Sequence, residues 1–165
     1  LRVNQFPAPF LLKWLATMKT QSFTELKEVA PQLVDKIPYL KMLVLFGSRA
    51  RGDTHAKSDW DFAALYDEEI RQAYIKDNAW AWFEVPHLLS EFFGIPEDKI
   101  DVVELDKSSQ LIAHFVARDG KLLYEKEAGV FEAFRQKALK SDLEIKEIRK
   151  ALREKIEAHL QRWGG

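Results

Sequence analysis

The fold of this chain turns on residues 46–62, "FGSRARGDTHAKSDWDF". The stretch leaves one apolar run, "YLKMLVLF" (39–46), at a Gly-Ser pair and enters a second, "WDFAALY" (60–66), through Asp-Trp-Asp. Both runs have strand length and turn residues at their edges. A strand that stops at Gly47-Ser48 leaves backbone N–H groups pointing beyond its end, an arrangement suited to anions. Gly47 permits close approach of a phosphate, and Ser48 adds a short hydroxyl donor. The same dipeptide is also an ordinary turn pair. Asp59 and Asp61 stand at i and i+2, so on a strand both carboxylates project from one face with Trp60 opposite. Like charges held that close need a compensating cation, and Mg2+ with oxygen ligands is the natural one. Taken singly, Asp59 reads as a loop cap and Asp61 as a solvated residue.

A third carboxylate alters that balance. Asp101 interrupts the apolar run "KIDVVEL" (99–105), where an unpaired charge is costly. A strand placed beside 60–66 would let Asp101 complete a three-carboxylate cluster; a solvent-facing edge strand is the plainer alternative. Glu104 and Asp106 lie nearer the strand end and rank below it.

Around this centre the chain alternates helices and strands, the pattern of an α/β layer fold. "SFTELKEVAPQLVDKIP" (22–38) opens with Ser22 and Glu25 in capping-box spacing, with Leu26, Val29, Leu33 and Ile37 on a core face and a break expected near Ala30, before Pro31. A helix is predicted over 77–94 with a distortion at Pro86 and a stop at Gly94, a helix over 108–120, and a short strand over 121–125. Residues 127–163 read as a charged helical tail in two pieces around Lys140 and Ser141. The 165 residues fit one domain, with a core of about 24–126. At 47% hydrophobic and 31% charged residues, with net charge −1, the chain is no general polyanion binder. It has no cysteine, which excludes disulfides and thiolate metal sites and fits a cytoplasmic setting. No apolar run reaches membrane-spanning length, and the first twenty residues lack a signal-type cleavage site. The chain opens on Leu1, so an N-terminal portion is expected to precede it.

Gly-Ser, ten intervening residues and Asp-x-Asp resemble the active-site signature of the DNA polymerase β-like nucleotidyltransferase superfamily. "KIDVVELDKSSQLIAHFVARDGKLLYE" (99–125) looks like the third-Asp strand, the following helix and the strand that ends the minimal nucleotidyltransferases (MNT), antitoxin partners of HEPN proteins. The likeness spans roughly residues 24–126. It implies an α/β (α+β) fold with a small mixed sheet flanked by helices and a C-terminal helical tail. It also implies that Gly47 and Ser48 hold the terminal phosphates of ATP, and that Asp59 and Asp61 bind two Mg2+ ions. Asp101 would share one ion and serve the attacking hydroxyl. Trp60 departs from the smaller aliphatic residue usual between the two aspartates. The implied reaction is transfer of AMP from ATP to a tyrosine of a HEPN ribonuclease toxin, silencing it, with no direct nucleic-acid or membrane partner.

Of the nearby cations Arg49, Arg51 and Lys57, Arg51 is the one assigned to the triphosphate. Asp53 and His55 form an Asp-x-His pair without the further ligands a metallophosphoesterase needs. His87 and His114 read as packing or surface residues, and Trp80, Trp82, Phe83, Phe92 and Phe93 as core aromatics. Two rivals share the sequence signals. A small-molecule nucleotidyltransferase of the aminoglycoside type would need an added acceptor domain. A pure binding antitoxin would keep the fold with an idle metal site. The tail residues Leu139, Leu143, Ile148, Leu152, Ile156 and Leu160 follow an amphipathic pattern that could pack on the core or on a partner.

Overall fold

Four strands build the molecule's centre. In a computed structural model that describes residues 22–55, 57–77 and 84–163, β1 (Leu40–Phe46) pairs antiparallel with β2 (Trp60–Tyr66) and with β4 (Lys121–Glu125). The edge strand β3 (Ile100–Glu104) runs parallel to β2, giving a mixed sheet of order β3-β2-β1-β4. The 60–66 and 121–125 strands have the bounds expected from the sequence. The parallel pairing is what matters most for the site, because its register sets Asp61 directly beside Asp101.

Alternation along the strands divides the core in two. Leu43, Leu45, Trp60, Phe62 and Ala64 face one layer. That layer contains α1 (Phe23–Val29), the 3-10 turn Ala30–Asp35 and α4 (Glu84–Phe93). Ser22 Oγ accepts from the Glu25 N–H at 3.2 Å while the Glu25 carboxylate accepts from the Ser22 N–H at 2.7 Å, so the capping box forms in full. The helix tightens to 3-10 at Ala30, one residue before Pro31, and continues to bury Leu33 and Ile37. Met42, Val44 and Ala63 face the other layer, with Val116 of α5 (Gln110–Asp119) and Phe131 and Phe134 of α6 (Val130–Ala138). Asp61 belongs to this second face.

Between β1 and β2 lies the short α2 (Gly47–Arg51). Between β2 and β3 the chain adds α3 (Glu68–Lys76), of which the apolar periodicity gives no sign. Asp67 caps it, accepting from the Ile70 N–H at 3.2 Å, and its inward residues include an arginine. Arg71 is 2% exposed and makes two 2.9 Å bonds to Glu104 of β3, with its guanidinium 4.5 Å from the centre of the Tyr66 ring. Glu104 is therefore a clamp between helix and strand. The helix expected over 77–94 is seen from Glu84; its first part, with Trp80, Trp82 and Phe83, lies outside the described residues, and Pro86 falls within the first described turn.

The tail divides at Leu139–Ser141 into α6 and the 22-residue α7 (Asp142–Trp163). Ile145 is buried, but Leu139, Leu143, Leu152, Ile156 and Leu160 are all exposed, so these positions of the tail's apolar series do not pack on the core. His114 is buried, and its Nδ1 accepts from the Lys140 N–H at 3.0 Å, tying α5 to the break in the tail. His87 is exposed and pairs with Glu97. Among the described residues no helix is long and apolar enough to cross a membrane.

The Arg71 clamp predicts an acid limb of stability. Hydrogen bonds from Arg71, then from Lys107, hold the Glu104 carboxyl down at about 2, against 4.5 for a free glutamate. Its contribution is complete above the unfolded value and is lost as pH falls through the folded one, on the order of 3 kcal/mol in all. The melting temperature should fall between pH 4.5 and 2. In Glu104→Gln this component of the fall should be missing, and the neutral-pH melting temperature should already be lower because Arg71 stays buried with the more distant, exposed Glu68 as counter-charge.

Candidate active site

The site forms where β1 ends and β2 and β3 begin. Gly47 leaves β1 with φ +70°, a left-handed backbone that disfavours any side chain. It has a second constraint. A Cβ built there would lie 2.2 Å from Asp61 Oδ2 and 2.9 Å from its Cγ, so the absent side chain is the space the carboxylate occupies. This adds to the sequence reading, in which Gly47 made room for a phosphate. Ser48 follows on the first turn of α2, and its carbonyl accepts from the N–H groups of Gly52 and Asp53, closing the turn.

Asp61 is half-buried on β2 and Asp101 is exposed directly across the parallel ladder. Burial first, then the charges of Asp101 and Asp59, push the Asp61 carboxyl above its usual range; Arg51 and Arg49 only partly oppose this. The three sequence-predicted carboxylates thus act on one another electrostatically. Among the described residues no group of three or more carboxylate or imidazole side chains is placed to hold a metal ion, so the three aspartates do not stand as a ready cation site. Asp59 instead accepts from Lys99 Nζ at 3.2 Å. Lys99 had no place in the sequence argument. Its only signal was its position two residues before Asp101.

The cations of the loop separate into different tasks. Arg49 donates to the carbonyls of Ser58 (2.6 Å) and Asp59 (3.0 Å) and lies 4.1 Å from the centre of the Trp60 ring. Burial lowers its guanidinium from the ordinary value, against the pull of Asp59 and Asp61. Arg51 is more exposed, bonds Asp53 at 3.2 Å and reaches Asp119 at 4.0 Å. Lys57 is exposed. The Asp-x-His pair is spent locally: Asp53 holds Arg51, and His55 Nδ1 accepts from the Lys57 N–H. Trp60 points away from the carboxylates, buried and stacked on Phe62, so the large residue at this place packs in the core beneath the site.

Hard carboxylate oxygens, their mutual repulsion and an adjacent glycine turn opening a short helix are the chemistry that suits a nucleotide carried with a divalent cation. A family model described as "Polymerase beta, Nucleotidyltransferase" matches residues 27–128, and the chain belongs to that family. It is a nucleotidyltransferase. The chain is 57% identical over 146 residues to the protein adenylyltransferase MntA of Aphanizomenon flos-aquae, covering 88% of this chain and 97% of that protein. It is 30% identical over 92 residues to a protein adenylyltransferase MntA of Shewanella oneidensis, covering 56% and 59% of the two chains. A crystal structure of a toxin–antitoxin with AMP-PNP matches with 25% identity and a TM-score of 0.51, over 82% of this chain and 98% of that one.

Two substitutions separate the costs built into this centre. Because the Asp61 carboxyl is raised in the folded state, its ionised form costs stability above the usual carboxylate range, and the cost fades as pH falls. Asp61→Asn should therefore raise the metal-free melting temperature at neutral pH by about 2–4 °C while removing activity. Gly47→Ala should lower it, through the strained backbone and the displaced carboxylate. Equal melting temperatures for Asp61→Asn and the parent protein would refute the electrostatic account.

Proposed function

We propose that this nucleotidyltransferase is the antitoxin of a HEPN/MNT pair and transfers AMP from ATP to a tyrosine hydroxyl of its HEPN ribonuclease toxin, which inactivates the toxin. The observation that carries the chemistry is the register pair Asp61–Asp101 beside the Gly47 turn. The similarity to adenylyltransferases over nearly the whole chain supports protein as acceptor and ATP as donor. The exposed apolar series of α7 accords with a chain that works against a protein partner.

In this reading the N–H groups and hydroxyl at Gly47-Ser48 take the terminal phosphates. Arg51, itself exposed and in contact with the exposed Asp53 and, at 4.0 Å, the part-buried Asp119, turns to the triphosphate and offsets its charge. Asp59 and Asp61 would hold two Mg2+ ions, with Asp101 sharing one. When bound, such ions would stabilise the phenolate of the acceptor tyrosine and the charge on the departing pyrophosphate. Lys99, which bonds Asp59 at 3.2 Å, would have to release that carboxylate for it to serve as a ligand. Asp101, exposed on the edge strand, faces the acceptor side and receives the hydroxyl proton as the tyrosine oxygen attacks the α-phosphorus. The bond to the β-phosphate oxygen breaks, and pyrophosphate departs in line.

Incubation with α-labelled ATP, Mg2+ and the HEPN protein encoded beside this chain tests the reading. Label should pass to the partner, and the rate should drop on the order of a hundredfold or more in Asp59→Asn/Asp61→Asn. Inhibition of the partner that survives the double substitution, with no label transferred, would overturn the proposal in favour of a binding antitoxin. Label transferred to an aminoglycoside and not to protein would overturn it in favour of a small-molecule enzyme.

A further inference from the structure

The sheet holds two of the three carboxylates but not the third. The β2–β3 ladder begins at Trp60↔Ile100, so Asp59 lies one residue outside it. Among the described residues its side chain, at 45% exposure, has one ion-pair partner, the half-exposed Lys99. A ligand outside the ladder needs another restraint if it is to meet Asp61 and Asp101 at a defined distance.

Arg49 supplies one. Its Nη2 donates to the Ser58 carbonyl at 2.6 Å and its Nε to the Asp59 carbonyl at 3.0 Å. Its guanidinium lies over Trp60, 4.1 Å from the ring centre. One planar group thus grips three consecutive residues, with Asp59 in the middle. Both ends of the grip are anchored. Ser58 is 6% exposed and closes a turn with His55, its hydroxyl accepting from the His55 N–H and its own N–H donating to the His55 carbonyl, each at 2.9 Å. Trp60 is 7% exposed and stacks on Phe62 with an interplanar angle of 8°. Arg49 itself follows Ser48 on α2, so one short helix carries both the phosphate-binding turn and the grip on Asp59. A guanidinium can bond two carbonyls and stack at once; an ammonium has neither the fork nor the plane.

We propose that Arg49 is a positioning residue for nucleotidyl transfer, clamping the backbone of Asp59 against Trp60 so that its carboxylate meets those of Asp61 and Asp101. The inference rests on the transfer reaction proposed above. It removes Arg49 from the triphosphate-binding cations and gives a reason for tryptophan between the two aspartates: the ring is the floor of the clamp.

The test compares Arg49→Met, Arg49→Lys and, as a control for plain loss of stability, Ser22→Ala at the α1 cap. In Arg49→Met kcat should fall ten- to a hundredfold with the KM for ATP within about threefold of the parent value, the pattern of lost support behind a ligand. Arg49→Lys should not rescue it. Hydrogen exchange of the metal-free proteins provides a readout that needs no turnover: the peptide covering 53–59 should exchange at least about tenfold faster in both Arg49 variants and unchanged in Ser22→Ala. Full rescue by lysine, or a raised KM for ATP with kcat intact, would show a phosphate-binding cation and overturn the proposal. Parent-like exchange over 53–59 would overturn it as well. Should the parent protein transfer nothing to any acceptor, the transfer reading fails by itself, while the exchange measurement still decides whether Arg49 holds Asp59.

Discussion

Two carboxylates, Asp61 and Asp101, lie side by side on parallel strands, and much of the surrounding structure answers to that placement. Neighbouring strands are about 4.8 Å apart, close enough for the charges to repel strongly where one is partly buried. Burial first, and then that repulsion, raise the proton affinity of Asp61. Gly47 surrenders its Cβ to give the Asp61 carboxylate room, and Arg49 and Arg51 approach without forming an ion pair with it. A domain that minimised its own energy would put an apolar pair here. The chain keeps a charge pair, and under the proposed function cations and a polyphosphate would satisfy it, so the strain would be stored as affinity for them.

The fold separates this strained region from what holds the molecule together. Trp60 and Phe62 enter the core on one side of β2 while Asp61 looks to the other, so the strand that carries the ligand is fastened by its neighbours. At the far end of the same strand pair the Arg71–Glu104 clamp locks α3 to β3, and with it the register that sets Asp101 opposite Asp61. The last turns of α7 lie outside this arrangement, with an apolar series turned to solvent.

Much of this was legible in the sequence, and for identifiable reasons. β2 and β4 were marked by apolar runs between turn residues, and α1 by the reciprocal cap of Ser22 and Glu25. The three aspartates were legible because charges at the edges of apolar strands are expensive. What stayed hidden depended on partners distant in sequence. α3 escaped because one of its inward positions is Arg71, whose burial makes sense only with Glu104 thirty-three residues on. The sequence reading favours Arg51 over Arg49 and passes over Lys99, and only the folded chain shows Arg49 holding the backbone of Asp59 and Lys99 its carboxylate. Trp60 looked like an anomaly until its ring was seen beneath Arg49.

The central claim is that Asp59, Asp61 and Asp101 converge on cations carried with ATP. Anomalous diffraction from crystals grown with Mn2+ and a non-hydrolysable ATP analogue tests it most directly. The account predicts Mn2+ density touching all three carboxylates, the analogue's terminal phosphates at Gly47 and Ser48, and the Lys99–Asp59 contact broken. A nucleotide bound with its metal away from these aspartates, or with Lys99 still paired to Asp59, would contradict it.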